Sequence, residues 1–453
     1  MRKTIERLQE FSLPLIAGVI LAMFWANLDS ESYQQMVHTP VYALGSIFDG
    51  AESADSHHSD WDHYLTLHFL INDIFMALFF GIAAKEIAEA CLPNGALNPP
   101  SKAINPLFGT VGGVVGPICM FLGLNALFGR AEWRNGWGVP TATDIALAWL
   151  VIRFLFGARH PAVSFLLLLA VADDAIGLGI IAVGYPDPSH PTQWLNLWWC
   201  LVGMGTAYAL RRAQVMWWVP YIAVSGVLCW WGLYSAHLHP ALALVFVVPF
   251  LPGPRQDMGL FVDDESDHAH DSPLEQFEHQ LKLFVDFGLF FFALVNAGVA
   301  FGEINGLSWL ILTSLIVGKV VGIVGFSLLA QKLGFQLPTG MNVGHLIVSS
   351  CVAGLGLTVA LFVSGQAFVD PSLQGAAKMG AVFSVAAALV AVIAKVGLGV
   401  TSGLDTGAAA ACADQSEELG VIRGAAPEFA NSVVSSMKAE MPSDDTSGVQ
   451  TVL

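Results

Sequence analysis

Apolar stretches separated by short polar segments run through about the first 400 residues of this 453-residue chain. A helix rises about 1.5 Å per residue, so about 20 apolar residues cross the roughly 30 Å hydrocarbon core of a bilayer. The pattern therefore predicts an all-α polytopic membrane protein with about 12 transmembrane helices. These segments, numbered 1 to 12, lie at about residues 11–28, 64–90, 106–129, 140–157, 160–184, 194–212, 215–236, 239–251, 274–301, 307–332, 341–368 and 376–400.

The lysines and arginines give an orientation for these segments. If the N-terminus is cytoplasmic, fifteen of the 19 basic residues fall on the cytoplasmic side, three fall outside, and Lys319 lies in mid-membrane. Such a cytoplasmic excess is the rule for membrane proteins. Arg2, Lys3 and Arg7 also suit a signal peptide, but no A-x-A-like cleavage site follows them, so we interpret segment 1 as a membrane helix. We predict a multi-pass protein of the bacterial cytoplasmic (inner) membrane with both termini cytoplasmic.

The composition agrees with a membrane environment and excludes several function classes. Hydrophobic residues make up 55% of the chain and charged residues 12%, whereas soluble domains average about a quarter charged residues. The formal net charge of −17 argues against nucleic acid binding and against a basic lipid-binding surface. The six cysteines are scattered, mostly in apolar segments, which is typical of small core residues rather than of disulfides or metal ligands.

Three hydrophilic segments lie outside the apolar pattern. Residues 29–63 and 252–273 contain clusters of His and Asp, and residues 401–453 are rich in Ala, Ser, Gly, Asp and Glu. The clusters are compatible with divalent metal binding, but nothing fixes their ligand geometry, and a solvated acidic loop is the favoured interpretation. We predict a membrane domain over residues 1–400 and a disordered acidic cytoplasmic tail over residues 401–453.

Three carboxylates lie in the otherwise apolar stretch 139–184. Asp144 follows Pro140-Thr141-Ala142-Thr143, whereas Asp173 and Asp174 directly follow a run of apolar residues. An ionisable side chain inside a membrane costs roughly 2–3 kcal/mol or more, so it is a candidate for function by default. Two adjacent aspartates need a proton or a cation to neutralise them. This stretch is therefore the first candidate for the functional site.

Two of the predicted segments are interrupted. Segment 4 has only a twelve-residue run from Ile145 to Phe156, apolar apart from Arg153 and about 18 Å long as a helix, and glycines and Pro140 precede it. Segment 11 is interrupted by Ser349-Ser350 and by Gly354-Leu355-Gly356. Segments 3–5 and 10–12 then form an inverted-repeat pair with a broken helix in each member, the pattern that indicates a transporter binding site. The alternative is that the glycines only permit close helix packing.

The residue types around the breaks suit proton and cation binding. Neighbouring residues on a helix point about 100° apart, so Asp173 and Asp174 can face different partners. A sodium ion prefers hard oxygen ligands, and Asp174, Asp173 and Thr143 supply them. Lys319 in the middle of segment 10 must pair with a carboxylate or lose its proton. Asp173 is its expected partner and Asp144 the second choice; the alternative is that Lys319 extends to the membrane interface.

Charged residues in segment 2 are weaker candidates. Asp73 lies in its outer half and Glu86 at its cytoplasmic end. Glu86 either lines an access funnel that gathers cations or is a solvated helix terminus, an alternative that the adjacent Lys85 supports. Asp286 and His345 receive no role.

Several motifs together resemble the bacterial NhaA-type sodium/proton antiporters, colinearly from about residue 10 to residue 400. They are Thr141-Ala-Thr-Asp-Ile-Ala146, Ala172-Asp-Asp-Ala-Ile-Gly177, Ile71-Asn-Asp73, Asn296-Ala-Gly-Val299, Gly318-Lys319 and Gly354-Leu-Gly-Leu-Thr358. The resemblance implies twelve helices in which helices 4 and 11 are broken and cross in mid-membrane. It also implies electrogenic exchange of cytoplasmic Na+ or Li+ for external protons, without a cofactor.

The resemblance also implies roles for individual residues. Asp174 is expected to be the central ion- and proton-binding carboxylate, and Asp173 its neighbour, paired with Lys319. Asp144 and Thr143 are expected at the helix crossing. The access funnel and the pH response are expected to involve Asp73, Glu86, Glu278 and His279.

The chain departs from the family pattern where the pH response is expected. Ile87-Ala88-Glu89-Ala90 replaces the basic residues that usually follow Glu86, and Lys282 replaces a histidine. The resemblance implies a homodimer. The Asp/His insertion in residues 29–63 lengthens the outer loop whose hairpin forms the dimer contact in the family, which leaves that contact route open.

Two other functions fit parts of the pattern. An intramembrane aspartyl protease needs two facing aspartates on separate helices, whereas Asp173 and Asp174 are neighbours, and no Gly-x-Gly-Asp stretch is present. A sodium-coupled solute symporter shares the inverted-repeat design but needs a larger polar pocket. Lys319 beside an aspartate pair favours proton exchange.

Overall fold

A computed structural model describes residues 12–41, 66–92, 100–158, 160–185, 192–253 and 272–400. Within these ranges the chain is helical apart from turns, connecting segments and one isolated bridge between Pro40 and Thr66. The His/Asp clusters of the two acidic loops lie outside the described residues, as does the tail 401–453, so the predictions made for them stay predictions.

Thirteen α-helices are labelled here in chain order, with the short 3-10 helices between them. They are α1 (Leu13–Leu28), α2 (Ser30–His38), α3 (Leu67–Ala90), α4 (Pro100–Phe128), a 3-10 helix (Ala131–Thr141), α5 (Ile145–Phe156), α6 (Pro161–Gly184), a 3-10 turn (Trp194–Leu197), α7 (Trp198–Arg212), α8 (Tyr221–Ser235), a 3-10 stretch (Pro240–Phe250), α9 (Pro273–Asn296), a 3-10 turn (Phe301–Glu303), α10 (Gly306–Lys332), α11 (Val343–Ala353), α12 (Leu357–Ala367) and α13 (Pro371–Gly397). Each of the twelve predicted segments has a helical counterpart among them.

Helix length alone does not fix the number of membrane crossings. Among the described residues, five helices are long and apolar enough to cross a bilayer, or seven if each bent pair forms one crossing. The helices α1 and α8 and the stretch Pro240–Phe250 are apolar but shorter. The helical, apolar architecture that the sequence predicts is therefore present, and the count of twelve crossings stays a prediction.

Both predicted breaks are present. The 3-10 helix Ala131–Thr141 and α5 are bent by 56°, and α11 and α12 by 47°. Pro140 leaves helical geometry at φ −83° and ψ 19°, and Ala142 is extended. A proline ring removes a backbone donor and clashes with the preceding turn, which explains the first break. The half of segment 4 that precedes this break is a 3-10 helix.

Helix α6 lies at the centre of the bundle. Every residue from Phe165 to Asp174 is buried, so the helix is enclosed on all sides. The elements around it pair across the two predicted triplets, with α4 against α10 and the 3-10 helix Ala131–Thr141 against α12. The aspartate pair is thus placed in the interior, next to both breaks.

Helices α4 and α10 cross with their backbones in contact. A Cβ atom on Gly322 would collide with the carbonyl oxygen of Gly112, and one on Gly112 would collide with that of Gly322. One turn along, a Cβ atom on Gly116 would collide with the carbonyl oxygen of Gly318, and one on Gly318 would collide with the backbone of Pro117. The glycines thus form a small-residue face on each helix, and the close crossing lets the backbone that carries Lys319 approach α4.

We expect Gly322→Val to destabilise the protein by about 1–3 kcal/mol or more, because the added methyl groups push α4 and α10 apart. Thermal unfolding in detergent measures this. Gly325→Val is the matched control: a Cβ atom on Gly325 of the same helix meets nothing within 4 Å. Equal losses for both variants would contradict the close crossing.

Candidate ion-binding site

Asp173, Lys319 and Thr143 meet in the interior of the bundle. The ammonium Nζ of Lys319 donates to Asp173 Oδ2 and to Thr143 Oγ1, each at 2.6 Å. Thr143 Oγ1 lies 2.8 Å from Asp173 Oδ2, and all three residues are 0% exposed. A buried ammonium without an anion would be very costly, and this pairing removes that cost. The predicted Lys319–Asp173 pair is present in the structure, so Lys319 does not extend to the interface.

Thr143 connects this ion pair to the second break. Its hydroxyl also lies 2.9 Å from the carbonyl oxygen of Ala353, the last residue of α11. A hydroxyl has one proton, so Thr143 donates either to Asp173 or to Ala353. The carbonyl groups at a helix C-terminus lack intrahelical partners, which makes Ala353 available to an external donor. The two broken segments therefore share one polar contact at the ion pair.

Asp144 caps two helices at once. Its Oδ1 accepts from the backbone N–H of Leu147 in α5 at 3.1 Å, and its Oδ2 accepts from that of Thr358 in α12 at 3.2 Å. Its own backbone N–H donates to the carbonyl of Leu355 at 2.6 Å. Helix N-termini carry a partial positive charge that a carboxylate stabilises. Asp144 thus holds the crossing of the two breaks together, and it is not the partner of Lys319.

Asp174 differs from its neighbour. Its side chain is 7% exposed, and its Oδ1 atom has no hydrogen-bond partner within the described residues. The same is true of Asp173 Oδ1. Buried carboxylate oxygens normally have partners, and an oxygen without one is suited to binding a proton or a hard cation. The two aspartates are therefore unequal: Asp173 is committed to Lys319 by one oxygen, and Asp174 is available.

The donor set around Asp174 suits a transported cation. No group of three His, Cys, Asp or Glu side chains forms a metal cluster in the part of the chain that the structure describes. A cation at Asp174 would instead use carboxylate, hydroxyl and backbone oxygens, which Asp173, Thr143 and the unwound backbone at the two breaks provide. Oxygen ligands of this mixed kind are those that broken helices present to Na+ in transporters.

Charged residues at the predicted cytoplasmic end of α3 form ion pairs with α9. Lys85 is 6% exposed, bonds to Glu278 of α9, and lies 2.5 Å from Glu89. Glu278 also accepts from Lys282 at 3.2 Å. Lys85, which supported a solvated helix terminus, is thus a buried member of an ion-pair network between two helices. The solvated alternative therefore does not describe Lys85, and the funnel role of Glu86 stays a prediction.

The other predicted funnel residues occupy different surroundings. Glu86 is half-buried beside Lys85, whereas His279 lies on the exposed side of α9. Asp73 is half-buried in a π-helical turn (Leu70–Phe75) of α3, and its backbone carbonyl accepts from the Trp230 indole at 3.1 Å. The structure brings Glu278 and Glu86 towards one network, whereas Asp73 lies about four turns away along α3 from Glu86.

Two polar features of the interior received no role from the sequence. Asn72 and Asn296 are buried, and the Asn296 amide donates to Asn72 Oδ1 at 2.8 Å, which joins α3 to α9. His239 accepts from the backbone N–H of Ala241 at 3.3 Å, and its ring lies 4.7 Å from that of Phe362 in α12. In the sequence, the asparagine pair is indicated by an amide side chain inside an apolar segment. His239 is indicated by its place directly before Pro240.

A histidine pair lies where α6 and α11 begin. The rings of His160 and His345 are stacked with centroids 4.6 Å apart, and Phe156 packs on His160 at 4.9 Å. His160 Nδ1 accepts from the backbone N–H of Ala162 at 3.1 Å, so it caps α6 in its neutral form. The ammonium of Lys395 lies 5.5 Å over the Phe156 ring. Burial, and then the neighbouring His345, lower the pKa of His160.

The lowered pKa of His160 predicts the sign of a pH effect on stability. The unfolded chain binds more protons than the folded one below about pH 6.5, so His160 contributes stability above that pH and this contribution is lost as pH falls. His160→Asn keeps a capping side chain but does not titrate. We expect its melting temperature to fall less than that of the wild type between about pH 7 and pH 5. Parallel curves, or an equal effect of His237→Asn, would contradict this assignment.

Known proteins match this chain over most of its length. The Na+/H+ antiporter 1 family matches residues 2–396. The chain is 57% identical over 396 residues to the Na+/H+ antiporter NhaA 2 of Pelobacter propionicus, covering 87% of this chain and 97% of that protein. It is 54% identical over 406 residues to the Na+/H+ antiporter NhaA of Desulfitobacterium hafniense, covering 89% and 98% of the two chains.

Similarity of this extent covers both breaks and every residue of the site described above. A third relative, the Na+/H+ antiporter NhaA of Geobacter metallireducens, is 55% identical over 385 residues, which cover 85% of this chain and 95% of that protein. The matched region ends close to the end of α13 and leaves the tail outside. The chain is a polytopic membrane protein of a transporter rather than an enzyme family, and it belongs to the Na+/H+ antiporter 1 family.

Proposed function

We propose that this protein is an electrogenic secondary antiporter that exports cytoplasmic Na+ or Li+ in exchange for external protons. It would serve pH and sodium homeostasis in the bacterial inner membrane, with both termini in the cytoplasm. The relatives named above carry Na+/H+ exchange in their names. The observation that carries the proposal is the unequal aspartate pair: Asp173 is held by Lys319, and a buried oxygen of Asp174 has no partner among the residues that the structure describes.

Competition between protons and a cation for Asp174 gives the exchange. When Asp174 is protonated, the site is neutral and can be exposed on either side of the membrane. When Asp174 has lost its proton, Na+ takes its place with Asp173 and Thr143 as further oxygen ligands. A buried carboxylate without a proton or a cation is costly, so the site changes sides only when it is occupied.

Lys319 accounts for the charge that moves. One proton for one Na+ at Asp174 would be electroneutral. A second proton carried at the Lys319–Asp173 pair makes the exchange electrogenic, with more protons than sodium ions moved per cycle. Na+ ligation by Asp173 weakens its hold on Lys319, which supports release of that second proton when Na+ binds.

The network around Lys85 supplies the access path in this proposal. Glu86 and Glu278 attract cations towards the site, and the ion pair of Lys85 with Glu278 connects α3 with α9. Asp73 would act from the outer half of α3, and His279 from the surface of α9. Lipid is the surrounding partner, no cofactor is needed, and a homodimer is the proposed assembly.

The alternatives fit the contacts less well. A protease dyad needs two aspartates free to share a proton on one substrate, whereas Asp173 is bound to Lys319 and Asp144 caps two helices. A solute symporter has no use for a buried lysine that neutralises one of the two carboxylates. Proton exchange uses both.

Reconstitution into liposomes with an internal pH dye tests the proposal. A pulse of NaCl or LiCl is expected to move protons in the opposite direction, and choline chloride is not. Because net charge moves, K+ with valinomycin is expected to accelerate the exchange by collapsing the membrane potential. No proton movement after a Na+ pulse would overturn the antiporter assignment, and an effect of Na+ that valinomycin leaves unchanged would overturn electrogenicity alone.

A further inference from the structure

The outer half of the broken segment 4 is a weakly stabilised helix, yet it sets the position of a residue of the ion-binding site. Ala131–Thr141 consists of 3-10 helix interrupted by a kink at Pro140, and 3-10 hydrogen bonds are poorly aligned, so this element is weakly stabilised by its own backbone. Two residues after its end comes Thr143, whose hydroxyl contacts both Asp173 and Lys319. Something outside the helix must therefore hold it in place.

The Tyr185 hydroxyl supplies that support. It accepts from the backbone N–H of Gly138 at 2.7 Å and donates to the backbone carbonyl of Asn135 at 2.9 Å. Its ring stacks on Trp137 with centroids 5.8 Å apart, and Tyr185 is 5% exposed. A Cβ atom at Gly138 would lie 2.6 Å from the hydroxyl oxygen, so glycine is needed for this approach.

Hydrogen bonds lead from Tyr185 towards the ion pair. The backbone carbonyl of Gly138 accepts from the Thr141 hydroxyl at 2.7 Å. Thr141 is 2% exposed and leads through Ala142 into Thr143. The side-chain amide of Asn135 donates to the carbonyl of Ala367, the last residue of α12, at 2.6 Å. The outer halves of both broken segments are therefore fastened at the residues that Tyr185 contacts.

The same helix carries both the support and the site. Tyr185 follows directly after α6, eleven residues beyond Asp174, or about 16 Å of helix. The outer end of α6 thus holds the 3-10 helix in place. The residues that follow the 3-10 helix then place Thr143 beside the middle of α6. Burial raises the pKa of the Tyr185 phenol above its usual range, so the hydroxyl keeps its proton at every working pH. The contact is therefore not a pH switch.

We infer that Tyr185 is a positioning residue for cation binding: by holding Gly138 and Asn135, it sets the distance between Thr143 and the aspartate pair. This inference rests on the proposed function, because it assigns Tyr185 to the affinity of the same cation site. The support acts on the cation-loaded state through the Thr143 hydroxyl oxygen. The turnover of a loaded site depends on the aspartates and Lys319, which Tyr185 does not touch.

Tyr185→Phe removes the hydroxyl and keeps the ring that stacks on Trp137. We expect the Na+ concentration at half-maximal exchange, measured in liposomes at a fixed alkaline pH, to rise about tenfold, which corresponds to about 1.4 kcal/mol from two lost hydrogen bonds. The maximal rate per folded molecule is expected to stay within about twofold. A purely structural role would lower the yield or the melting temperature and leave this concentration unchanged.

Three further variants keep the test decisive. Thr141→Val removes the next hydroxyl in the connection with little change of shape, and we expect the same rise in half-maximal Na+ concentration. The double variant is expected to add little, because both act through Gly138. Tyr208→Phe is the matched control, since Tyr208 is 54% exposed on α7.

The outcomes separate this inference from the proposed function. If the wild type moves no protons in response to Na+, the proposed function fails and the inference fails with it. If the wild type exchanges and Tyr185→Phe keeps the wild-type half-maximal Na+ concentration, or changes it no more than Tyr208→Phe does, only the positioning role of Tyr185 is overturned.

Discussion

Asp174→Asn is expected to abolish Na+-driven proton movement in liposomes while the protein remains folded. The amide has nearly the shape of the carboxyl group but takes up no proton at any working pH and carries no charge for Na+. Both halves of the exchange would therefore be lost together. The carboxyl group of Asp174 lies inside the bundle with an unpartnered oxygen, so its neutral replacement removes a buried charge and is not expected to lower the melting temperature.

The matched control for this variant is Glu132→Gln. Glu132 is an exposed carboxylate on the 3-10 helix that precedes the site, paired loosely with Arg130 at 3.8 Å. The Glu132→Gln variant removes the same charge from the same part of the chain without changing the interior. We expect wild-type exchange from it. Proton movement by Asp174→Asn above the level of empty liposomes would remove Asp174 from the exchanging site.

Lys319→Met is expected to have the second largest effect, on charge movement and on stability together. The methionine leaves Asp173 buried beside Thr143 with no cation, and breaking a buried ion pair in this way typically costs about 3–5 kcal/mol. The remaining aspartate must take a proton to stay buried, so the loss of stability is expected to be greater at alkaline than at acidic pH. With the second proton site changed, valinomycin is expected to accelerate exchange much less than in the wild type.

A double variant isolates the pair. Lys319→Met with Asp173→Asn removes both charges, so most of the lost stability is expected to return, whereas independent contributions would add. Lys332→Met, at the exposed end of the same helix α10, is the control for loss of a lysine. Wild-type stability and wild-type sensitivity to valinomycin in Lys319→Met would remove the lysine from both the pair and the mechanism.

The features that could be predicted from the sequence were those that depend on short stretches of the chain. The membrane class followed from the apolar segments, and both breaks followed from local composition: glycines and Pro140 in segment 4, and Ser349, Ser350, Gly354 and Gly356 in segment 11. The aspartates and Lys319 were visible because ionisable residues are rare in apolar spans. The choice of Asp173 as the partner of Lys319 was also correct, but it came from charge arguments and from resemblance, and spacing alone left Asp144 open.

The interpretation of Lys85 shows the limit of such reasoning. In the sequence it lies next to Glu86 at a helix end, where solvated charges are common, and that reading kept the solvated alternative open. In the structure it is 6% exposed because α9 lies across α3 and brings Glu278 to it from 193 positions away. No pattern among neighbouring residues in the sequence can show that α9 packs against α3 at this point.

The sequence by itself determined what kind of protein this is: the environment, the helical segments, the places where two of them break, and the few residues able to bind a proton or a cation. These depend on local composition and on the cost of burying polar groups. Only the tertiary structure decided which of these residues act together. Lys319 meets Asp173 across 146 positions, and Asp144 reaches the N-terminus of α12 across 214. Such contacts depend on how the helices pack, which is set by the whole bundle, and they make Asp173 the paired and Asp174 the available member of the aspartate pair.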